Sequence, residues 1–204
     1  MVDTVYSIGY SGFSMSDFIN TLQSNKISLV VDVRSHPYSQ YFSDYNKESL
    51  EQTLKYKGIY YRNYAKEFGA RQDERRYYSS EGYLDFELFA KSSPFLSGFD
   101  RLVKSMMQNY RFALMCAEKD PINCHRTILV TRSFHDAGYK VKHLLPNNGM
   151  VTQEDIENRL LDKYFPNRNQ ITLFGEVFSK SEYIAQAYRK RNSEIGYSIE
   201  EESE

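Results

Sequence analysis

Hydrophobic positions along the chain alternate between short strand-like runs and runs spaced for helices. Thr4 to Gly9 (TVYSIG) is a β-branched and aromatic run that ends in glycine. In the segment after it, Phe18, Ile19 and Leu22 share one helical face, and Ser14 or Ser16 is placed to cap the first turn. Ile27 to Val33 (ISLVVDV) is almost unbroken in apolar residues, as expected of a strand covered on both sides in a parallel sheet. Lys47 to Lys57 reads as a polar helix turning Leu50 and Leu54 inward; Gly58 is placed to end it, and Ile59 to Asn63 returns as a third strand. Phe95, Phe99, Leu102, Val103 and Met106 recur at three and four, which predicts a helix over 95–109 leading into a compact strand, Arg111 to Cys116 (RFALMC). A helix over 124–137, closed by Gly138, then precedes a last strand at Tyr139 to Leu145.

This alternation predicts an α/β architecture with a parallel, doubly wound sheet of about five strands and helices on both faces. Residues 64–93 interrupt it: the stretch holds RQDERRYY and SSEGY with few aliphatics, and reads as an inserted, partly helical excursion. Past Pro146 the pattern gives an amphipathic helix at Gln153 to Tyr164, a stretch around Ile171 to Phe178, a polar helix to about Arg191 and an acidic tail, IEEESE. The expected organisation is one domain over 1–165, with 166–204 as a C-terminal extension.

Composition narrows the function classes. With 41% hydrophobic and 26% charged residues the chain has the balance of a globular protein. No apolar run approaches the roughly 20 residues of a membrane span, and MVDTVYSIGY lacks the basic and apolar regions of a signal peptide, so the expectation is cytoplasmic with no membrane partner. The net charge of −1 carries no general attraction for a polyanion, which disfavours nucleic acid as the partner. Eighteen tyrosines, many beside charged residues, offer surfaces on which a base could stack, although packing with the hydroxyl in water accounts for most of them. Both cysteines lie in one segment, Cys116 to Arg126 (CAEKDPINCHR). In a reducing compartment such a pair points to free thiols, metal ligands or reactive groups rather than a structural disulfide.

Topology says where to look, because ligands of open parallel sheets bind outside the carboxyl ends of the strands. There the sequence places Gly9, Tyr10, Ser11 and Gly12 after the first strand, Asp32 and Arg34 after the second, and Cys116 and Glu118 after the fourth. A helix is then expected to open at Cys124, His125 and Arg126, its N-terminal amides favouring an anion or a thiolate.

Ser-Ile-Gly-Tyr-Ser, Asp-Val-Arg with Pro-Tyr-Ser after it, Phe68-Gly69-Ala70 and above all Cys-Ala-Glu-Lys-Asp-Pro-Ile-Asn-Cys-His-Arg together resemble the pattern of the DUF488 family of bacterial and archaeal proteins, over roughly Val5 to Leu145. The resemblance implies a Rossmann-like three-layer fold with these motifs gathered at one end of the sheet; it implies no reaction. The chain departs from the family pattern at Tyr10, where a histidine is common, and at Ala70, where a second glycine is common.

Each candidate carries a structural reading beside its chemical one. Cys116, ending an apolar strand, reads first as a small core residue. Cys124 at a helix start beside Arg126 is either a nucleophile or metal ligand, or a capping and packing residue. His125 can serve as acid, base or ligand, but neighbours on a helix diverge by about 100°, so Cys124 and His125 are not expected to hold one metal together. A zinc site of Cys116, Cys124 and His36 lacks paired spacing, and no motif calls for a cofactor. Asp32 and Arg34 share a strand face and suit an ion pair; in the alternative reading Arg34, alongside Arg126, anchors a phosphate or carboxylate while Asp32 binds a hydroxyl or acts as base. Glu118 is a general acid or base if buried, or a cap for the next helix. GYSG lets backbone pass close by but is no dinucleotide fingerprint. The run Arg71 to Tyr78 is either a lid over a nucleotide or a solvated loop of mixed charge.

Three classes follow. The first is an enzyme acting on a small phosphorylated or nucleotide-like ligand, with Arg34 and Arg126 on the anion, Cys124 as nucleophile, and Glu118 or His125 moving protons. The second is a rhodanese-like or phosphatase-like thiol enzyme, although the loop from Cys116 to Arg126 is long and lacks glycine for a tight anion cradle. The third is a non-catalytic module that senses a nucleotide or contacts nucleic acid through 64–93.

Overall fold

The computed structural model describes residues 4–168 and 178–199. Six strands form one sheet: β1 (Thr4–Gly9), β2 (Leu29–Asp32), β3 (Tyr60–Asn63), β4 (Phe112–Cys116), β5 (Lys140–Leu144) and β6 (Met150–Thr152), in the spatial order β3-β2-β4-β1-β5-β6. The first five are mutually parallel, and β6 runs antiparallel to β5 at the edge. The expected α/β architecture is thus present with one more strand than the pattern gave: three residues with no apolar alternation carry no signal of their own, and pairing with β5 decides them.

The helices are α1 (Met15–Ser24), α2 (Lys47–Tyr56), α3 (Ala65–Phe68), α4 (Phe86–Phe89), α5 (Ser93–Met107), α6 (Arg132–Asp136), α7 (Gln153–Tyr164) and α8 (Lys180–Ile195). Capping follows the sequence. Ser14 accepts from the Asp17 amide at the start of α1, Ser92 accepts from Phe95 ahead of Pro94 in α5, and Thr152 with Asp155 closes a reciprocal capping box on α7. Two apolar layers cover the sheet. Phe18, Leu22, Leu50 and Leu54 from α1 and α2 pack on one face with Ile8, Val30 and Met115. On the other face Phe95, Leu102, Phe134, Ile156 and Tyr188 pack with Val5, Val31 and Leu114. Burial of all five residues of β4 explains its unbroken apolar run.

One expectation needs correcting, and two others gain detail. The helix predicted over 124–137 does not include Cys124, whose backbone is extended (φ −132, ψ 136); helix begins at His125, is wound as a π-helix over Arg126–Thr131 and continues as α6. The 64–93 excursion is partly helical, as expected, holding α3 and α4, and through Phe68, Tyr77, Leu84, Phe86 and Phe89 it enters the core. The polar helix near the C-terminus is docked onto the core through Ala187 and Tyr188, and Asn192 caps the excursion, accepting from the Phe86 amide (2.8 Å) and donating to Leu84 O (2.8 Å). The stretch expected at Ile171 to Phe178 lies, but for its last residue, outside the described residues, as does the acidic tail from 200 onward. Among the described residues no helix is long and apolar enough to cross a membrane.

Candidate functional site

Strands β1, β2 and β4 end side by side, with Gly9 paired to Cys116 and Asp32 to Met115. This register places the loops after them around one point. The pairing continues past the strand ends, since the amides of Tyr10 and Ser11 donate to Cys116 O and Ala117 O at 3.0 Å each. The loop from Ala117 to Cys124 therefore lies directly against the end of β1. A β-carbon on Gly9 would fall 1.7 Å from Glu118 O and 2.8 Å from Arg126 Nη2. Gly9 thus admits a backbone, as expected of it, but the backbone is the protein's own. Ser11 contributes through its amide.

The loop is fastened from the other side as well. Asp120 accepts from the Ile122 amide and is held by both terminal nitrogens of Arg159 on α7 (2.9 and 2.7 Å). Arg191 on α8 donates to Ile122 O at 2.9 Å and to the Asn123 side chain. These contacts fix the turn that delivers Cys124.

At the centre the Sγ atoms of Cys116 and Cys124 and a ring nitrogen of His125 all lie within 4.8 Å of one another, and all three residues are buried. This overturns the expectation that Cys124 and His125 diverge. That argument assumed helical backbone at both, and the extended backbone of Cys124 turns its side chain toward His125. His125 Nε2 is 3.0 Å from Val33 O and Nδ1 is 3.9 Å from Cys116 Sγ. A carbonyl can only accept, so Nε2 carries a hydrogen and Nδ1 is the ring nitrogen turned to the sulfurs; burial pushes the imidazole down, but Cys124, Glu118 and the Val33 carbonyl outweigh it and raise its pKa.

Cys124 Sγ lies 2.8 Å from Glu118 Oε2, close enough to share one proton with it. Burial pushes the Cys124 thiol up, but the proton shared from Cys116, the Arg126 guanidinium and His125 together outweigh it and hold it well below the ordinary thiol range. Cys116 goes the opposite way, held up by giving its proton to Cys124 and by burial. Burial, then the neighbouring Cys124, raises the Glu118 carboxyl, an effect that water screens because its side chain is 44% exposed. Arg126 is fully buried, donating through Nη1 to Glu118 O at 2.7 Å, while its Nε and Nη2 have no hydrogen-bond partner. It faces inward, beneath Gly9.

Asp32 and Arg34 form the expected ion pair, both buried. Arg34 Nε and Nη2 reach the carboxylate at 2.9 and 2.6 Å, Nη2 also donates to Tyr45 O, and the Tyr61 hydroxyl donates to Asp32 at 2.7 Å. Arg34 Nη1 is left without a partner. Tyr10 stacks on Tyr45 with ring centroids 4.3 Å apart and lies under the Arg34 guanidinium.

Above this arrangement opens a cavity of about 310 Å³ with Cys116, Glu118 and His125 at its floor and Tyr10 and Arg34 on its wall. Tyr10 and Ala70 both line it. Cys124 and Arg126 do not, and both are buried. A larger cavity of about 760 Å³, bordered by Arg71, Gln72 and Tyr78, adjoins the first through Ser35, His36, Arg71 and Tyr197 but meets none of the reactive side chains. The smaller cavity is therefore the one with chemistry. Sequence reasoning missed Tyr45, Tyr61 and Tyr197. Alternation in IYYRN carries a signal for Tyr61, which is buried between exposed Tyr60 and Arg62, whereas nothing local marks Tyr197, brought in by the C-terminal segment and stacked with Arg71 at 4.2 Å.

Comparison with curated proteins and with solved structures gives no match. The family model described as domain of unknown function DUF488 matches residues 14–132, more than half of the chain, from the cap of α1 through the cysteine segment to the end of the π-helix. The motif at Gly9 to Ser11 lies ahead of the matched segment, and the site's other candidates fall inside it, so the chain belongs to the DUF488 family.

Proposed function

We propose that the protein is an enzyme of the reducing cytoplasm that converts a small anionic ligand, phosphorylated or nucleotide-like, in the cavity at the carboxyl edge of the sheet. The observation that carries this reading is Arg34, which borders the same cavity as Cys116, Glu118 and His125 and whose buried Nη1 has no hydrogen-bond partner. A buried donor left unmade costs free energy that an anionic ligand would recover. Arg34 is pre-oriented for that contact, since Asp32 and Tyr45 fix its other two nitrogens. Tyr10 and Arg71 supply a ring and a second cation at the rim. Glu118, raised and half open to water, is the group placed to exchange a proton with the ligand.

The anion-cradling loop of a phosphatase-like thiol enzyme finds no support, because Arg126 is turned inward onto Glu118 O and does not border the cavity. Titration calorimetry of the full chain with inorganic phosphate, pyrophosphate and AMP tests the proposal. At least one should bind, and Arg34→Lys, which keeps a charge for Asp32 but removes the free donor, should weaken it by about tenfold or more. Glu118→Gln should keep binding and lose turnover. No binding of any of the three at millimolar concentration, or native affinity in Arg34→Lys, would overturn the reading.

A further inference from the structure

We infer that Cys116, Cys124 and His125 form a zinc site at the floor of this cavity, with the fourth coordination position opening toward Glu118 and the ligand space. Two sulfurs and one imidazole nitrogen are a donor set that suits Zn²⁺ above harder cations. In a tetrahedral site with bonds of about 2.3 Å to sulfur and 2.0–2.1 Å to nitrogen, neighbouring donor atoms stand about 3.5–3.8 Å apart. The three donors already lie within 4.8 Å of one another, and Cys116 Sγ to His125 Nδ1 is 3.9 Å, so small rotamer adjustments close the site.

The surroundings match the donors. The His125 ring is locked by Val33 O at its Nε2, which leaves Nδ1 as the ligating atom and supplies the outer hydrogen bond that orients metal-bound histidines. Arg126, fully buried with Nε and Nη2 unpartnered, is a fixed positive charge beside two sulfurs that must both be thiolates to bind an ion. The loop that carries Cys124 is pinned by Arg159 and Arg191, so the donors are held in place by rigid helices.

Three protein donors leave one position. Cys116, His125 and Glu118 border the cavity whereas Cys124 does not, which assigns that position to the cavity side. Glu118, with Oε2 at 2.8 Å from Cys124 Sγ, is the carboxylate that touches the donor set. An open fourth position is the arrangement of catalytic rather than structural zinc. Both sulfurs bind as thiolates, so the thiol proton that the pair still holds is displaced to solvent and uptake acidifies an unbuffered solution.

The test uses the full chain, reduced with a non-chelating phosphine, stripped with dipicolinate and titrated with Zn²⁺ and separately with Co²⁺. About one equivalent should bind, and Co²⁺ should develop thiolate charge-transfer absorption with the intense visible bands of a tetrahedral ion. Cys116→Ser, Cys124→Ser and His125→Gln should each weaken zinc by more than about a hundredfold, and His36→Ala should leave it unchanged. Should a serine variant fail to fold, the wild-type chain still decides the matter, because zinc should protect both thiols from iodoacetamide. A reduced, folded chain that takes up neither ion, or thiols alkylated equally with and without zinc, would overturn the site. No anionic ligand is present in this titration, so it can fail while the anion-binding proposal stands, and the reverse.

Discussion

Replacing Gly9 by alanine puts one methyl group where the structure has none to spare. The new β-carbon would sit 1.7 Å from Glu118 O and 2.8 Å from both Glu118 C and Arg126 Nη2. Ordinary contact requires roughly another 1.5 Å, and the obstacle is a backbone carbonyl that cannot rotate aside. Either the end of β1 or the loop must withdraw. Withdrawal strains the bonds that join them, namely Tyr10 N to Cys116 O, Ser11 N to Ala117 O and Arg126 Nη1 to Glu118 O. At about 1 kcal/mol for each neutral bond and about 1.5–3 kcal/mol for the charged one, the loss comes to about 3–5 kcal/mol. For a chain of this size that is a fall in Tm on the order of 10 °C. Gly138→Ala is the comparison. Gly138 has φ +89 and open space around it, so the change costs only the left-handed backbone term of about 1–2 kcal/mol. Urea and thermal unfolding followed by circular dichroism should rank Gly9→Ala well below Gly138→Ala, although Gly9 has no positive φ. Equal losses, or a Gly9→Ala chain within about 1 kcal/mol of wild type, would refute the close approach and the placement of the site loop that depends on it.

Asp32→Asn should destabilise the fold by about 3–5 kcal/mol in urea unfolding, because it leaves the buried Arg34 guanidinium without its counter-charge; a loss below about 1 kcal/mol would mean the pair is not buried as described. His143, which accepts from Ser7 Oγ (2.7 Å) and donates to Gln153 Oε1 (3.0 Å), is pushed down to about 3 by burial and then by Arg126. The folded value lies below the unfolded value near 6.5, so the unfolded chain binds the extra proton. This contribution is complete above about pH 6.5 and is lost as pH falls toward about 3, by about 4–5 kcal/mol in total. Its imidazole signals in NMR should not titrate between pH 8 and 5; a midpoint near 6.5 would contradict the burial.

The aromatic residues show where local pattern and tertiary context part. Tyr61 is buried because β3 alternates, which four residues of sequence can express. Tyr10 follows β1 with no pattern of its own, and contacts from other connections, the stack on Tyr45 and the Arg34 guanidinium, hold it inward. Phe86 and Phe89 sit in the 64–93 excursion, whose few aliphatics give it little pattern of its own, and they are buried in the core cluster that α8 joins through Ala187 and Tyr188. The same contrast holds at the site. Asp32 and Arg34 could be paired by inspection, since strand alternation sets both on one face, but the free Nη1 depends on Tyr45 and on the cavity beside it.

What the chain determined by itself was periodic: β1, α1, α2, α7, the buried β2 and β4, and hence an α/β sheet whose carboxyl edge gathers Gly9, Arg34, Cys116 and Glu118. These follow from interactions between residues a few positions apart, which sequence records directly. Only the tertiary structure decided that Cys124 has extended backbone, that its sulfur meets Cys116 and His125, and that Arg126 turns inward instead of toward a ligand. Those outcomes were set by Arg159 and Arg191 holding the preceding turn and by the absent β-carbon of Gly9, contacts between residues far apart in the chain, which no local pattern encodes.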